Sequence, residues 1–322
     1  MAVLVLALTV CVQLAVGHFD PIVSLLSASV VLVLPQDVLR WAAIADQKLR
    51  DCLISDLIWA VVSLAMLFTP AIASSAAACV AVWTMGAGLA LLWLLLRTGV
   101  APTFAGLREW WMRGRTVRLF FGLEGIVSSW TGFVSLSIAT VTVGTAGSAA
   151  MRGGGLLLGP LALVLSAIPM LGIPELARSG QVKSGRDAWQ RLRIVAWTLA
   201  LLSLLVGSVA LVLPQSLGFV VLGDTWDGTK RIVWIVAIEY AGLGFLHCAS
   251  AGLKALGLAR MVFLVRAAYA CSCFIFVAVS GVVFRSAAGA SSALALCGVV
   301  FAVIVVQLLV RGNMLERVRI ES

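Results

Sequence analysis

Glu239 and His247 are the residues whose type and position most clearly indicate chemistry. They lie eight residues apart in a continuous apolar stretch, residues 228–250, with Glu239 at its midpoint and Tyr240 beside it. Positions i and i+8 lie about 80° apart around an α-helix and so share one broad face. A carboxyl and an imidazole on one face in an apolar environment suit proton relay or the binding of a polar ligand. The structural alternative is a glutamate that holds helices together and a histidine that packs near a helix end.

Three arginines are candidates for binding an anion. Arg40 lies inside the end of an apolar run with Asp37 three residues before it, and Arg266 lies one to two turns into another run. Arg152 precedes the glycine triplet 153–155, where we expect a helix to begin and to offer free amide groups to an anion. A guanidinium binds phosphate through two parallel hydrogen bonds. The simpler alternative for each arginine is a local ion pair or a side chain that reaches the membrane surface.

Prolines are concentrated in one apolar run. Residues 154–177 contain Pro160, Pro169 and Pro174. A proline inside a helix removes a backbone hydrogen bond and bends the helix. The three prolines therefore predict a bending, gating helix.

All these residues lie in or beside ten apolar runs, which we interpret as membrane-spanning helices. The hydrocarbon core of a bilayer has no water to satisfy backbone polar groups, so about 20 consecutive apolar residues form a helix there. The predicted spans are residues 2–17, 22–45, 52–69, 72–96, 124–147, 154–177, 192–213, 228–250, 261–284 and 288–310. The predicted fold class is all-α, a polytopic transmembrane helical bundle of about 10 helices.

The basic residues predict how these helices are oriented. Nineteen of the 23 lysines and arginines fall in alternate connections, in the ends of the runs that flank those connections, or in the C-terminal tail. The other four are Arg152, Lys230, Arg231 and Arg285. Because cytoplasmic loops of membrane proteins are enriched in lysine and arginine, we expect both termini to be cytoplasmic in a multi-pass protein of the inner (plasma) membrane. Anionic phospholipid headgroups are the expected partners of the basic connections.

Composition excludes several other classes. A hydrophobic content of 62% and a mean hydropathy of +1.10 exclude a soluble globular domain. The net charge of +9 resides mostly in the predicted cytoplasmic connections, and no basic stretch on a soluble surface is interleaved with aromatic residues, so no nucleic-acid partner is expected. The seven cysteines form no CxxC motif and are not paired with a histidine at metal-ligand spacing. We therefore expect neither a metal nor a cofactor.

The helices are predicted to form two pseudo-repeated lobes. Residues 1–96 hold four helices, residues 97–123 form an amphipathic cytoplasmic linker with Trp110 and Trp111, and residues 124–322 hold six helices and a short basic tail. The first four helices match the last four in loop length and loop side, as internal repeats in transporters do. We therefore expect two helices to be missing from the front of the first lobe, through truncation or a start assigned too late.

Three diffuse stretches resemble the polysaccharide-flippase branch of the multidrug/oligosaccharidyl-lipid/polysaccharide exporter superfamily. They are LPQDVLRW (34–41) with DLIW (56–59), residues 144–152 with LGPL (158–161) and PELAR (174–178), and LGDTW (222–226) with LKALG (253–257). The resemblance covers most of the chain and implies two six-helix lobes around a cavity that opens alternately to each side of the membrane. The chain departs from the family by lacking the first two helices.

The function that the resemblance implies is transport of polyprenyl-linked oligosaccharide or polysaccharide precursors. The expected ligand is then a lipid-linked oligosaccharide, and other envelope-polysaccharide assembly proteins are expected partners. The candidate residues for substrate binding or coupling are Glu239, His247, Arg152, Arg40 and Arg266.

Alternatives from other classes stay open. The missing helices favour a non-transporting truncated paralogue or scaffold, and Glu239 favours an efflux transporter for small cations from the same superfamily. An enzyme is not expected, because the longest outer connection, about residues 214–227, is short and the chain has no GxxxxGK[ST] phosphate-binding loop.

Overall fold

The structure of the chain is a computed structural model that describes residues 20–99, 114–178 and 184–311, together with the single residues Gln13, Gly106, Glu109 and Met112. Within these residues all regular secondary structure is helical. The predicted span 2–17 lies outside the described residues apart from Gln13. Trp110 and Trp111 of the predicted linker also lie outside them.

Twelve α-helices follow one another in the described part of the chain. They are α1 (Pro21–Ala45), α2 (Leu49–Ala65), α3 (Pro70–Ala73), α4 (Ala76–Thr98), α5 (Arg115–Val143), α6 (Thr145–Leu157), α7 (Gly159–Arg178), α8 (Gly185–Val212), α9 (Gln215–Leu222), α10 (Trp226–Ala255), α11 (Ala259–Phe284) and α12 (Ala287–Val310). Two 3-10 turns, Met66–Phe68 and Gly223–Thr225, precede α3 and α10.

Eight helical segments are long and apolar enough to cross a membrane. Among the described residues they are Ile22–Ile44, Ala76–Thr98, Arg115–Val143, Gly159–Leu176, Gly185–Val212, Gln215–Ala255, Ala259–Phe284 and Ala287–Val310. Many large apolar side chains on these helices are exposed, among them Phe133, Val141 and Ile275. Such surfaces suit lipid, which replaces water around a membrane helix. The prediction of an all-α, multi-pass membrane protein is confirmed.

Several observed helix boundaries differ from the predicted ones. α5 begins at Arg115, inside the predicted linker, and ends at Val143. Gly144, with a φ of 92°, then reverses the chain in a conformation that glycine adopts without steric cost. The predicted span 154–177 is divided between α6 and α7, which meet at Leu158. Apolar residues continue through this break, so the hydropathy pattern does not reveal it.

The chain divides into two compact units, unit 1 (Met1–Ala105) and unit 2 (Gly106–Ser322). In unit 1, α1, α2 and α4 pack against one another. The buried Gln36 Nε2 donates a hydrogen bond to Ser55 Oγ (3.3 Å), and the Ser55 hydroxyl donates to the carbonyl of Ala90 (3.2 Å). These bonds join all three helices, and hydrogen bonds between helices stabilise their association in apolar surroundings.

α10 is the central helix of unit 2 and packs against α6, α7, α8 and α12. Its contacts depend on small residues. A Cβ on Gly242 would lie 2.8 Å from the carbonyl carbon of Gly298 in α12, so the two backbones touch there. A Cβ on Gly207 of α8 would lie 2.6 Å from the Cβ of Ala237. Close approach of backbones at small residues is the main source of contact between helices in lipid.

Gly242→Ala is expected to destabilise the protein, because the added methyl group would overlap the Gly298 backbone. Forcing an atom into a well-packed contact costs roughly 1–3 kcal/mol. The matched control is Gly125→Ala in α5, where an added Cβ meets nothing within 4 Å and where alanine is the better helix former. Thermal denaturation in detergent, followed by size-exclusion chromatography, measures both variants. Equal midpoints would contradict the close packing of α10 on α12.

Candidate functional site

Unit 2 contains a cavity of about 340 Å³ that is lined by five helices, α5, α6, α10, α11 and α12. Its polar lining residues are Ser128, Thr131, Ser135, Arg152, Glu239, Tyr240, His247, Arg266, Tyr269 and Ser291. The remaining lining residues are glycines and apolar side chains. Polar and ionisable groups that converge in a cavity of an otherwise apolar helical unit are typical of a site that binds a polar ligand.

Four of the five predicted candidates line this cavity. Glu239 and His247 come from α10, Arg152 from α6 and Arg266 from α11. Neither the Glu239 carboxyl nor the His247 imidazole has a hydrogen-bond partner among the residues that the structure describes. The structure thus offers no hydrogen bond through which Glu239 would clamp two helices. Both groups are open to interaction with a ligand in the cavity.

Arg152 lies within α6 and not before the start of a helix. The amides of residues 153–155 therefore bond within α6, and the expectation that they would be free for an anion is wrong. The glycines instead let α6 approach α10, because a Cβ on Gly153 would overlap the hydroxyl of Thr229. Thr229 also donates a hydrogen bond to the carbonyl of Ala150 (3.1 Å). Arg152 itself is exposed and lines the cavity.

Arg40 lies in unit 1 and is not part of this cavity. Its guanidinium contacts the carboxylates of Asp37 at 2.8 Å and Asp56 at 3.4 Å. The local ion pair that the sequence suggested is therefore present, and it extends to a second helix. An anion at Arg40 would have to compete with two carboxylates that already neutralise the arginine.

The three prolines of the predicted gating helix have different positions. Pro169 and Pro174 lie inside α7, whereas Pro160 lies in its first turn. Proline in the first turn removes no helical hydrogen bond, because the amide there has no acceptor within the helix. Bending by proline is therefore confined to Pro169 and Pro174. The interruption ahead of them is the break at Leu158 between α6 and α7.

A buried ionic cluster next to the cavity was not predicted. Lys254 Nζ lies 2.7 Å from Oε2 of Glu124, and Arg266 Nε lies 3.6 Å from Oε1 of Glu124. The side chains of Lys254, Glu124 and Arg266 are 12%, 8% and 5% exposed. The Ser128 hydroxyl also donates to Glu124 Oε1 (3.3 Å). The cluster joins α5, α10 and α11. Its sequence signals are Arg266 inside one apolar run and a carboxyl at the end of another, and neither shows that the two residues meet.

Three buried polar atoms of cavity-lining residues have no hydrogen-bond partner in the described part of the chain. They are Arg266 Nε, Ser135 Oγ and Ser291 Oγ. An unsatisfied buried polar group costs about 1–3 kcal/mol, so such groups usually have a ligand or water as partner. The cavity thus offers hydrogen-bond donors that the protein itself does not use.

Comparisons with protein-family models, with curated proteins and with solved structures give no match to this chain. Among the described residues, no group of three or more histidine, cysteine, aspartate or glutamate side chains could hold a metal ion. The cavity of unit 2 and the residues that line it are therefore the features that indicate a function.

Ser135→Ala is expected to leave the thermal stability unchanged or to raise it, because the Ser135 hydroxyl has no hydrogen-bond partner among the residues that the structure describes. Ser203→Ala is the matched control, since Ser203 is equally buried, at 1% exposure, and donates to the carbonyl of Ala237 at 2.6 Å. Its loss is expected to cost roughly 0.5–1.5 kcal/mol. If thermal denaturation shows the same destabilisation for both variants, Ser135 has a structural partner and is not reserved for a ligand.

Proposed function

We propose that the protein is a flippase-type transporter that moves polyprenyl-linked oligosaccharide or polysaccharide precursors across the plasma membrane by alternating access. The observation that carries this proposal is the cavity of unit 2, which presents Arg152 and Arg266 together with unpartnered hydroxyls inside an apolar helical unit. The proposal treats the protein as a transporter and not as an enzyme. It places the chain in the polysaccharide-flippase branch that its sequence resembles.

The chemistry of the cavity complements a lipid-linked sugar. Guanidinium groups bind phosphate oxygens through charge-assisted hydrogen bonds, and serine and threonine hydroxyls both donate to and accept from sugar hydroxyls. Tyr240 and Tyr269 add rings with an apolar face and a polar tip. The exposed apolar surfaces of the helices suit the surrounding lipid, in which the polyprenyl chain would remain.

The distribution of basic residues supports an orientation for transport. With both termini cytoplasmic, α10 runs from the outer side, near Lys230 and Arg231, to the cytoplasmic side, near Lys254. Arg152 then belongs to the outer part of unit 2, and Lys254 lies at the cytoplasmic end. The break at Leu158 and the interior prolines of α7 supply places where a helix can bend during an access change. In this proposal the two pseudo-repeated lobes move relative to each other.

One observation favours a second candidate function, the efflux of small organic cations. Glu239 lines the cavity beside Tyr240 and near Tyr269, and a carboxylate with aromatic rings is suited to binding a cation. The two arginines of the same cavity oppose this function by charge. The lipid-linked substrate is therefore the first proposal.

Arg152→Gln is expected to reduce flipping about tenfold or more, because a charge-assisted hydrogen bond is worth roughly 1.5–3 kcal/mol. The assay uses proteoliposomes with a polyprenyl-pyrophosphate oligosaccharide that carries a fluorophore on its sugar, and dithionite quenches the label in the outer leaflet. Arg231→Gln is the matched control, since Arg231 is another exposed helical arginine that does not line the cavity. If the unmodified protein shows no flipping, a scaffold function is favoured. If both variants flip the lipid at the same rate, Arg152 is not part of the substrate site.

Glu239→Gln distinguishes the two candidate functions. For a lipid-linked anion, removal of the carboxylate removes repulsion, so binding of the substrate is expected to be unchanged or tighter. For an organic cation, the same variant is expected to bind about tenfold more weakly or worse, since the attracting charge is lost. Equilibrium binding of the labelled lipid and of ethidium to the purified protein measures both outcomes. Suppose that Glu239→Gln binds ethidium more weakly, and that neither the variant nor the unmodified protein binds the lipid above background. Cation efflux would then replace the flippase as the proposed function.

A further inference from the structure

We propose that the cavity of unit 2 contains a binding site for a phosphate-class oxyanion that is centred on Arg266, and that Lys254 keeps Arg266 available by holding Glu124. The inference deepens the proposed function and rests on it for the biological source of the anion, a lipid-linked phosphate or free phosphate. Arg266 would contact the anion, whereas Lys254 would be a positioning residue that acts through Glu124.

The buried cluster of Lys254, Glu124 and Arg266 has a net positive charge. Two cations, Lys254 and Arg266, share one carboxylate, that of Glu124, and all three side chains are largely buried. A buried charge without a counter-charge is strongly destabilising. The other charged residues that line the cavity are Arg152 and Glu239, which bring one cation and one carboxylate. Whatever the pairing, one cation remains without a carboxylate, and a bound anion would neutralise it.

Both carboxylate oxygens of Glu124 have partners other than Arg266. Oε2 receives the short contact of 2.7 Å from Lys254 Nζ, and Oε1 accepts the hydrogen bond from Ser128. Arg266 Nε lies 3.6 Å from Oε1, which is beyond hydrogen-bond distance, and it is buried without a hydrogen-bond partner in the described chain. Glu124 is therefore committed to Lys254 and Ser128. Arg266 keeps an unused donor beside the cavity.

Within the described part of the chain, two serine hydroxyls of the same cavity are donors without hydrogen-bond partners, as Arg266 Nε is. The Ser135 and Ser291 hydroxyls line the same cavity, are 1% exposed and also lack partners among the residues described. An ionised phosphate group only accepts hydrogen bonds, and it accepts them strongly. It can therefore bind a guanidinium and hydroxyl donors at the same time. Lys254 does not line the cavity, and its ammonium lies 5.7 Å from the ring centre of Phe121. Its influence on the anion would therefore be indirect.

The proposal can be tested because Glu124 is expected to change its partner from Lys254 to Arg266 when the Lys254 charge is removed. Without the Lys254 charge, Glu124 would form a one-to-one ion pair with Arg266, and an anion would have to displace an internal carboxylate. Lys254→Met is therefore expected to weaken anion binding by about tenfold. The double variant Glu124→Gln with Lys254→Met is expected to restore binding to near the original value, because the competing carboxylate is gone. Arg266→Gln is expected to abolish binding in every background.

The experiment measures equilibrium binding of a radiolabelled short-chain polyprenyl phosphate to the full chain in detergent. The matched polyprenyl alcohol controls for binding of the hydrocarbon tail, and inorganic phosphate as competitor distinguishes a free anion from a lipid-linked one. Lys254→Arg is the conservative variant, and it is expected to bind as the unmodified protein does. Circular dichroism and size-exclusion chromatography identify any variant that fails to fold. If Lys254→Met fails to fold, Glu124→Gln alone is the test. Anion binding as tight as or tighter than that of the unmodified protein supports the proposal, and weaker binding overturns it.

The outcomes separate this inference from the flippase proposal. Binding of the phosphate but not of the alcohol, lost in Arg266→Gln and restored in the double variant, supports the anion site even if proteoliposomes show no flipping. Equal binding of phosphate and alcohol, or a Lys254→Met variant that folds and binds as the unmodified protein does, overturns the anion site. A folded double variant that binds as weakly as Lys254→Met would show that Lys254 does not act through Glu124, which also overturns the proposal.

Discussion

The structure of unit 2 depends on the close approach of backbones around α10. Helices in lipid gain little from burying apolar side chains against one another, so glycine and alanine contacts must supply the van der Waals attraction. Gly242 of α10 and Gly298 of α12 place two backbones in contact, and a Cβ on Gly298 would lie 3.3 Å from the carbonyl oxygen of Glu239. The packing that holds α10 in place therefore also fixes the position from which Glu239 reaches the cavity.

Much of the fold could be predicted from the sequence, because a bilayer imposes a strong and simple pattern. Long apolar runs correspond to the observed membrane helices, and the basic residues fall at their ends. The break at Leu158 could not be predicted, since apolar residues continue through it and Pro160 lies just beyond it. The start of α5 at Arg115 was also missed, because charged residues can occupy the first turns of a helix that extends out of the hydrocarbon.

The candidate site was predictable only where its geometry is local. The spacing of Glu239 and His247 predicted that both lie on one helix face, and both residues line the cavity. The contact between Glu124 and Lys254 joins residues 130 positions apart on different helices, so no pattern along the chain reveals it. Arg152 shows a further difficulty, because a run of glycines is compatible with a helix start and with close helix packing. The contact between Gly153 and Thr229 shows that these glycines serve close helix packing.

The surplus cation beside the cavity has an electrical consequence. A charge that crosses the whole transmembrane field changes its energy by about 2.3 kcal/mol for each 100 mV. With Glu124 neutralising only one of Lys254 and Arg266, the cluster without ligand carries a net positive charge, whereas the cluster with a monovalent anion carries none. If the proposed anion binds there, the membrane potential acts on the empty protein and much less on the loaded one. In the proposed flippase, the inside-negative potential of the plasma membrane would then draw the empty cluster toward the cytoplasmic face, where the proposed substrate would be loaded.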